Sequence, residues 1–288
     1  MPMLPGCKPI GATQLEGKFY VICSEKSEIF VYNQSFFKFP SIAISNGEDG
    51  LRNPRWIAAS KYSTCLYIVD GDTINGSSGI WRVNLTTNGY EMYKFVEDEI
   101  NSLSVLSENG RLMVISNFGN ILTVYSPDGR NIWKVNLDQI GFTNTQHIVE
   151  TIGGSFILSQ SESLNHRVCE VDADFSLVQS YGGVPGSDTG HLDTPVFVAK
   201  DSRTEHVFVS DSFNRRILLF DRQLRRYTNL MATSNGRPWS IDFDSTKRIL
   251  LVITFNDASD CLSIGPSVCW QSSIVSAYLV AERNDQTS

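Results

Sequence analysis

Three carboxylates and one imidazole stand where chemistry could begin. Asp70 and Asp211 close two apolar runs, LYIVD and VFVSD, at equivalent places in the chain. Glu150 follows His147 by three residues in HIVE. Carboxylates converging on one point could hold a divalent cation, which takes oxygen ligands and activates water or polarises a carbonyl. Asp70, Glu150 and Asp211 are therefore the candidate ligands of a metal-dependent hydrolase or lyase. A second group offers recognition instead of catalysis. Arg55, Trp56, His147, Arg237 and Trp239 lie near the start of apolar runs, and Trp and Arg are favoured interface anchors. The tryptophans have a plainer reading as packing between structural units. The arginines and His147 are expected to be accessible.

Other catalytic signatures are missing. The four histidines show no metal-ligand spacing, and the six cysteines contain no C-x-x-C pair. No nucleophile elbow is present, and the Gly-Gly pairs at Gly153 and Gly182 lack the strand-to-helix setting of a phosphate loop. No cofactor is expected.

The elements that position these residues form a repeat. A residue opening an apolar run recurs at Pro9, Pro54, Ser102, Gln146, Pro195 and Pro238, at spacings of 43 to 49. Each mark is followed by a second run centred on Val21, Ile68, Val114, Ile157, Val209 and Val252, then by a third and, in most repeats, a weaker fourth. The runs are short, rich in Val, Ile, Phe and Tyr, and bounded by Gly, Asn, Asp and Ser, as strands are. Four strands every 40 to 50 residues, roughly, define a β-propeller blade. The expectation is an all-β, six-bladed β-propeller over residues 1–283 with a disordered tail, Asn284–Ser288. The sixth repeat lacks a fourth strand, and Pro2 and Pro5 suit the N-terminus poorly to supply it. A three-stranded last blade is therefore expected, with Ile274–Tyr278 as a bare edge.

The fifth repeat carries further marks at fixed places. They are Leu192, Pro195, Asp201, Asp211, Asn214, Arg216, Phe220 and Asp221 in HLDTPVFVAKDSRTEHVFVSDSFNRRILLFD. This segment resembles the NHL repeat, and the second repeat keeps a partial match at Leu51, Pro54, Ile57, Ala58, Ile68 and Asp70. The resemblance implies a six-bladed propeller used for binding protein or RNA partners. It also makes Asp70 and Asp211 repeat-marking residues, which favours a structural role: accepting backbone N–H bonds from the following loop.

Charge narrows the choice. The net charge of −7 argues against RNA or other nucleic acid, whose recognition rests on cationic contacts to phosphate. Neither a signal peptide nor an apolar run long enough for a membrane span is visible, so a cytoplasmic protein is expected. Cys23, Cys65 and Cys169 read as free, buried thiols; Cys261 and Cys269 bracket one loop and are candidates for a disulfide.

The loops also choose a face. Connections between strands 1 and 2, and 3 and 4, are short, as at Leu15–Gly17 and Thr87–Gly89. Those between strands 2 and 3, and between blades, are longer and must gather on the opposite face. Long loops on a rigid scaffold are where binding resides. The expectation is a non-catalytic scaffold holding a protein or peptide partner on that face. The metal-dependent enzyme and the RNA-binding domain stand as alternatives.

Overall fold

In a computed structural model, residues 7–24, 26–46, 49–71, 77–106, 109–225, 227–233, 236–255 and 273–280 are described. They form six antiparallel blade sheets around a central channel, each built from consecutive strands, and a two-stranded ribbon, Ser45–Asn46 with Asp49–Gly50, between the first two. Blade 1 comprises Pro9–Leu15, Lys18–Cys23, Glu28–Asn33 and Ile42–Ala43. Blade 2 comprises Pro54–Ser60, Cys65–Gly71, Ser78–Asn84 and Tyr90–Val96. Blade 3 comprises Ile100–Val105, Leu112–Ser116, Ile121–Tyr125 and Asn131–Asn136. Blade 4 comprises Thr145–Glu150, Phe156–Glu162, Asn165–Val171 and Leu177–Gly183. Blade 5 comprises Pro195–Lys200, Val207–Asp211, Arg216–Phe220 and Tyr227–Ala232. Blade 6 has three strands, Arg237–Asp244, Ile249–Phe255 and Ser273–Leu279. The molecule is thus a six-bladed β-propeller with a three-stranded last blade. Among the described residues no helix is long and apolar enough to cross a membrane.

Burial explains why the strands read as apolar runs instead of alternating. A second strand lies between two neighbouring blades, so both its faces are covered. Leu112–Ser116, Val207–Asp211 and Ile249–Phe255 are buried along their whole length. Outer strands such as Asn131–Asn136 are largely exposed on one side. The buried side chains fall into six clusters, one for each seam between blades. Fully buried Phe19, Tyr67 and Phe208 each contribute about 1.5–3 kcal/mol by leaving water.

Among the described residues, strands from the two chain ends lie in different blades, and the ring closes where blade 1 meets blade 6. Phe19, Val21, Phe30 and Tyr32 of blade 1 pack against Ile249, Leu251, Ile253 and Phe255 of blade 6. A polar latch completes this seam. The Asp242 carboxylate accepts from Thr13 Oγ1 and from the Gln14 N–H, both at 2.8 Å. Gln14 Nε2 donates to the carbonyls of Asp242 and Ile249.

Two expectations need correction. Cys23 is not a free thiol: it forms a disulfide with Cys7. Cys23 pairs with Pro9 across the sheet, so the chain entering the first strand passes beside it. Cys65 and Cys169 are free and buried, as expected. Cys261, Cys269 and the tail Asn284–Ser288 lie outside the described residues. The repeat marks of blades 3 and 4 also shift. The residues pairing with the end of the second strand are Ile100 and Thr145, not Ser102 and Gln146. A bulge follows this pair in all six first strands, and the extra residue obscures the alternation there.

Candidate functional site

The bulged first strands build the channel in layers. Counting from Pro9, Pro54, Ile100, Thr145, Pro195 and Pro238, the second residue on is Gly11, Trp56, Ser102, His147, Phe197 or Ser240. The fourth residue on shares that face, because strand side chains repeat every two residues. It is Thr13, Ala58, Ser104, Val149, Ala199 or Asp242.

The two layers differ in bulk. The first holds three ring systems, and Trp239 adds a fourth. Trp56 stacks on Trp239 at 6.0 Å and 9°, and leans on Phe197 at 5.4 Å. Phe197 stacks on His147 at 4.1 Å, and Trp239 meets Phe255 edge-on at 5.5 Å. Together these rings fill the long-loop end of the channel. The second layer is small-sided, and all six of its members line a cavity of about 700 Å³. His147 and Phe197 form the cavity floor. Its mouth is made by strand 1–2 connections, including Glu16, Lys61, Ile152, Ser202 and Thr246. The cavity therefore opens on the short-loop face, opposite to the face that loop length singles out.

The predicted anchors divide accordingly. Trp56, His147 and Trp239 belong to one chain of rings, in which Phe197 joins His147 to Trp56 and Trp56 stacks on Trp239. His147 is buried and not accessible, contrary to expectation. Burial lowers its pKa to about 4, against the opposing pull of the Leu103 and Val198 backbone, so the imidazole is neutral at pH 7. Arg55 is half-buried, ion-paired with Glu99 and packed over Gly71. Arg237 lies with its guanidinium 4.0 Å over the Phe213 ring.

The candidate metal ligands are not brought together. Asp70 accepts from the backbone N–H groups of Arg52 and Asn53. Asp211 accepts from Asp193 N at 2.7 Å, Asn214 Nδ2 at 2.9 Å and Arg216 Nε at 2.6 Å. Burial raises both carboxyls, and these bonds pull the other way. The backbone donors precede each blade's first strand and do not lie in the following loop. The second strand runs antiparallel to the first, so its end meets the chain coming in. Arg216 and Asn214 extend the network to carbonyls of Gly186, Ser187 and His191, pinning the long loop between blades 4 and 5. Glu150 lies at the other end of the channel, lining the cavity.

One feature of the long-loop face escaped the sequence reading. The strand 2–3 turns of blades 3, 4 and 5 each present a large apolar side chain. Phe118 is 70% exposed, Leu164 67% and Phe213 50%. The blade 3 turn is held in an unusual conformation. Asn117, Phe118 and Gly119 all have positive φ, at 52°, 55° and 81°. Gly119 donates to Asn101 Oδ1 and accepts from Thr145 N. The signal available was an apolar residue inside a polar turn, as in N-F-G-N, S-L-N and S-F-N.

Solved structures agree with the architecture. One similar structure is a streptogramin B lyase, with a TM-score of 0.61 at 14% identity, covering 98% of this chain and 86% of that one. Another is the WD40 β-propeller domain of Doa1, with a TM-score of 0.58 at 10% identity, covering 88% and 90%. At such identities the likeness shows the fold: the chain is a β-propeller, a class that includes both binding domains and enzymes. No protein-family model and no curated protein matches the sequence.

Proposed function

We propose that this β-propeller is a non-catalytic binding module of NHL-like type, holding a protein or peptide partner on its long-loop face. The observation that carries this reading is the trio Phe118, Leu164 and Phe213. Three equivalent turns on adjacent blades hold large apolar side chains out in water, where they add little to folding stability. Grouped exposed apolar residues mark interaction surfaces. Arg237, stacked on Phe213, adds a cation beside the patch, and Trp56 and Trp239 back it with a rigid stack. A partner presenting an apolar segment flanked by a carboxylate fits this chemistry. Asp70 and Asp211 serve the scaffold in this reading, because their oxygens are engaged by loop donors.

The test is selection of displayed random peptides on the purified protein. Enriched peptides should carry apolar anchors, and the triple variant F118S/L164S/F213S should lose them. Ile152→Ser, on the short-loop face, should keep them. Peptides that bind the triple variant as tightly as the wild type would refute the proposal.

A further inference from the structure

The small-sided layer of the channel holds one ionisable side chain. Five of its six members are neutral; the sixth is Asp242. Among the described residues its carboxylate meets neutral donors, Thr13 Oγ1 and the backbone N–H groups of Gln14 and Phe243, and the cation whose field reaches it is Lys61, on the exposed rim. Three residues that line the same cavity also hold a buried polar atom without a hydrogen-bond partner among the described residues: Gln14 Oε1, Ser104 Oγ and His147 Nδ1. Each belongs to a side chain more than nine-tenths buried. Buried polar groups are normally satisfied, so three around one cavity call for an explanation.

Their chemistry has a common sign. Gln14 Oε1 accepts only. Neutral His147 can present a bare ring nitrogen as acceptor, Ser104 can accept, and Asp242 accepts when ionised. The site therefore asks for a donor. Its floor is the Phe197 ring, stacked on His147, which suits an apolar body or a cation above a π-face. The rim mixes Glu16 and Asp244 with Lys61 and Lys247, so the inner wall and not the mouth sets the preference. Burial raises the Asp242 carboxyl, and a bound cation would oppose that shift.

We propose that the cavity binds a small organic cation, an amine whose ammonium group meets Asp242 and whose carbon body rests on Phe197. The volume suits such a ligand, since small-molecule sites run to about 300–1,000 Å³. This site opens away from the proposed partner surface and is independent of it.

Thermal unfolding and titration calorimetry with n-butylammonium chloride, and with n-butanol as its neutral counterpart, test the assignment. Butylammonium should raise the unfolding midpoint and give a saturable isotherm; butanol should do neither. Asp242→Asn keeps an acceptor for Thr13 and Gln14 and should weaken butylammonium binding at least tenfold. Should that variant fail to fold, Ser104→Leu fills the cavity from the opposite wall without touching Asp242, and should block binding equally. The proposal is overturned by equal responses to butanol and butylammonium, by no saturable binding of butylammonium, or by undiminished binding to the folded variants. F118S/L164S/F213S should bind butylammonium like the wild type, so failure here and failure of the partner surface are distinguishable.

Discussion

Asp201 offers a demanding test of how the blades are joined. It follows the first strand of blade 5 and is 1% exposed. It accepts from Arg203 N at 3.0 Å, Thr204 Oγ1 at 2.8 Å and Arg248 Nη1 at 2.7 Å. Arg248 belongs to blade 6 and also donates to the Val280 carbonyl. Burial alone would raise the Asp201 carboxyl, but these donors outweigh it and hold the pKa below the usual value. Asp201→Ala would strand the guanidinium. Removing one member of a buried pair costs about 3–5 kcal/mol. Arg248 keeps 17% of its side-chain surface, which places this case near the lower end. A loss of about 3 kcal/mol should lower Tm by roughly 5 °C in a chain of 288 residues. The assay is urea unfolding followed by tryptophan fluorescence. The sign of the pH dependence follows from the lowered pKa. The stability Asp201 supplies is complete above its unfolded pKa of about 3.9 and fades as pH falls through the lower folded value. Wild type and variant should therefore differ at pH 7 and converge in acid. A variant within 1 kcal/mol of wild type at pH 7, or a gap that widens in acid, would refute the reasoning.

Two further perturbations address the scaffold. Cys7→Ser should cost about 3 kcal/mol, because the Cys7–Cys23 link closes a loop of 16 residues, and reductant should lower wild-type stability to match. Equal urea midpoints for oxidised and reduced wild type would contradict this. Gly119→Ala should cost at least about 2 kcal/mol. A β-carbon there would sit 2.4 Å from Thr145 N at a φ of 81°, and the urea midpoint should fall without a change in slope.

Much of this fold was legible because a propeller repeats its physics. Each second strand must be apolar on both faces, so Val21, Ile68, Val209 and Val252 announced themselves, as did the missing fourth strand of blade 6. The marks slipped at Ser102 and Gln146 because a bulge breaks alternation where no proline signals the start. Cys7 was missed as a partner because spacing alone does not say which strand the entering chain passes. A structural disulfide belongs mostly to oxidising compartments and so does not support the cytoplasmic expectation, which rested on the lack of a visible signal peptide. The roles of Asp70 and Asp211 could be read from their place in the repeat; the source of their donors required the antiparallel geometry. The cavity was not legible at all. It arises from six small or short residues, one per blade, whose meeting depends on all six registers at once. The exposed turn residues were visible but unremarked, because loop length drew attention away from loop content.

The central claim is that partners dock on the long-loop face through blades 3, 4 and 5. Backbone hydrogen exchange with and without a selected peptide tests it most directly. The account predicts slowed exchange at residues 117–120, 163–166 and 212–215, with residues 60–64 and 151–154 unchanged. Protection confined to the latter two turns, around the cavity mouth, would contradict it.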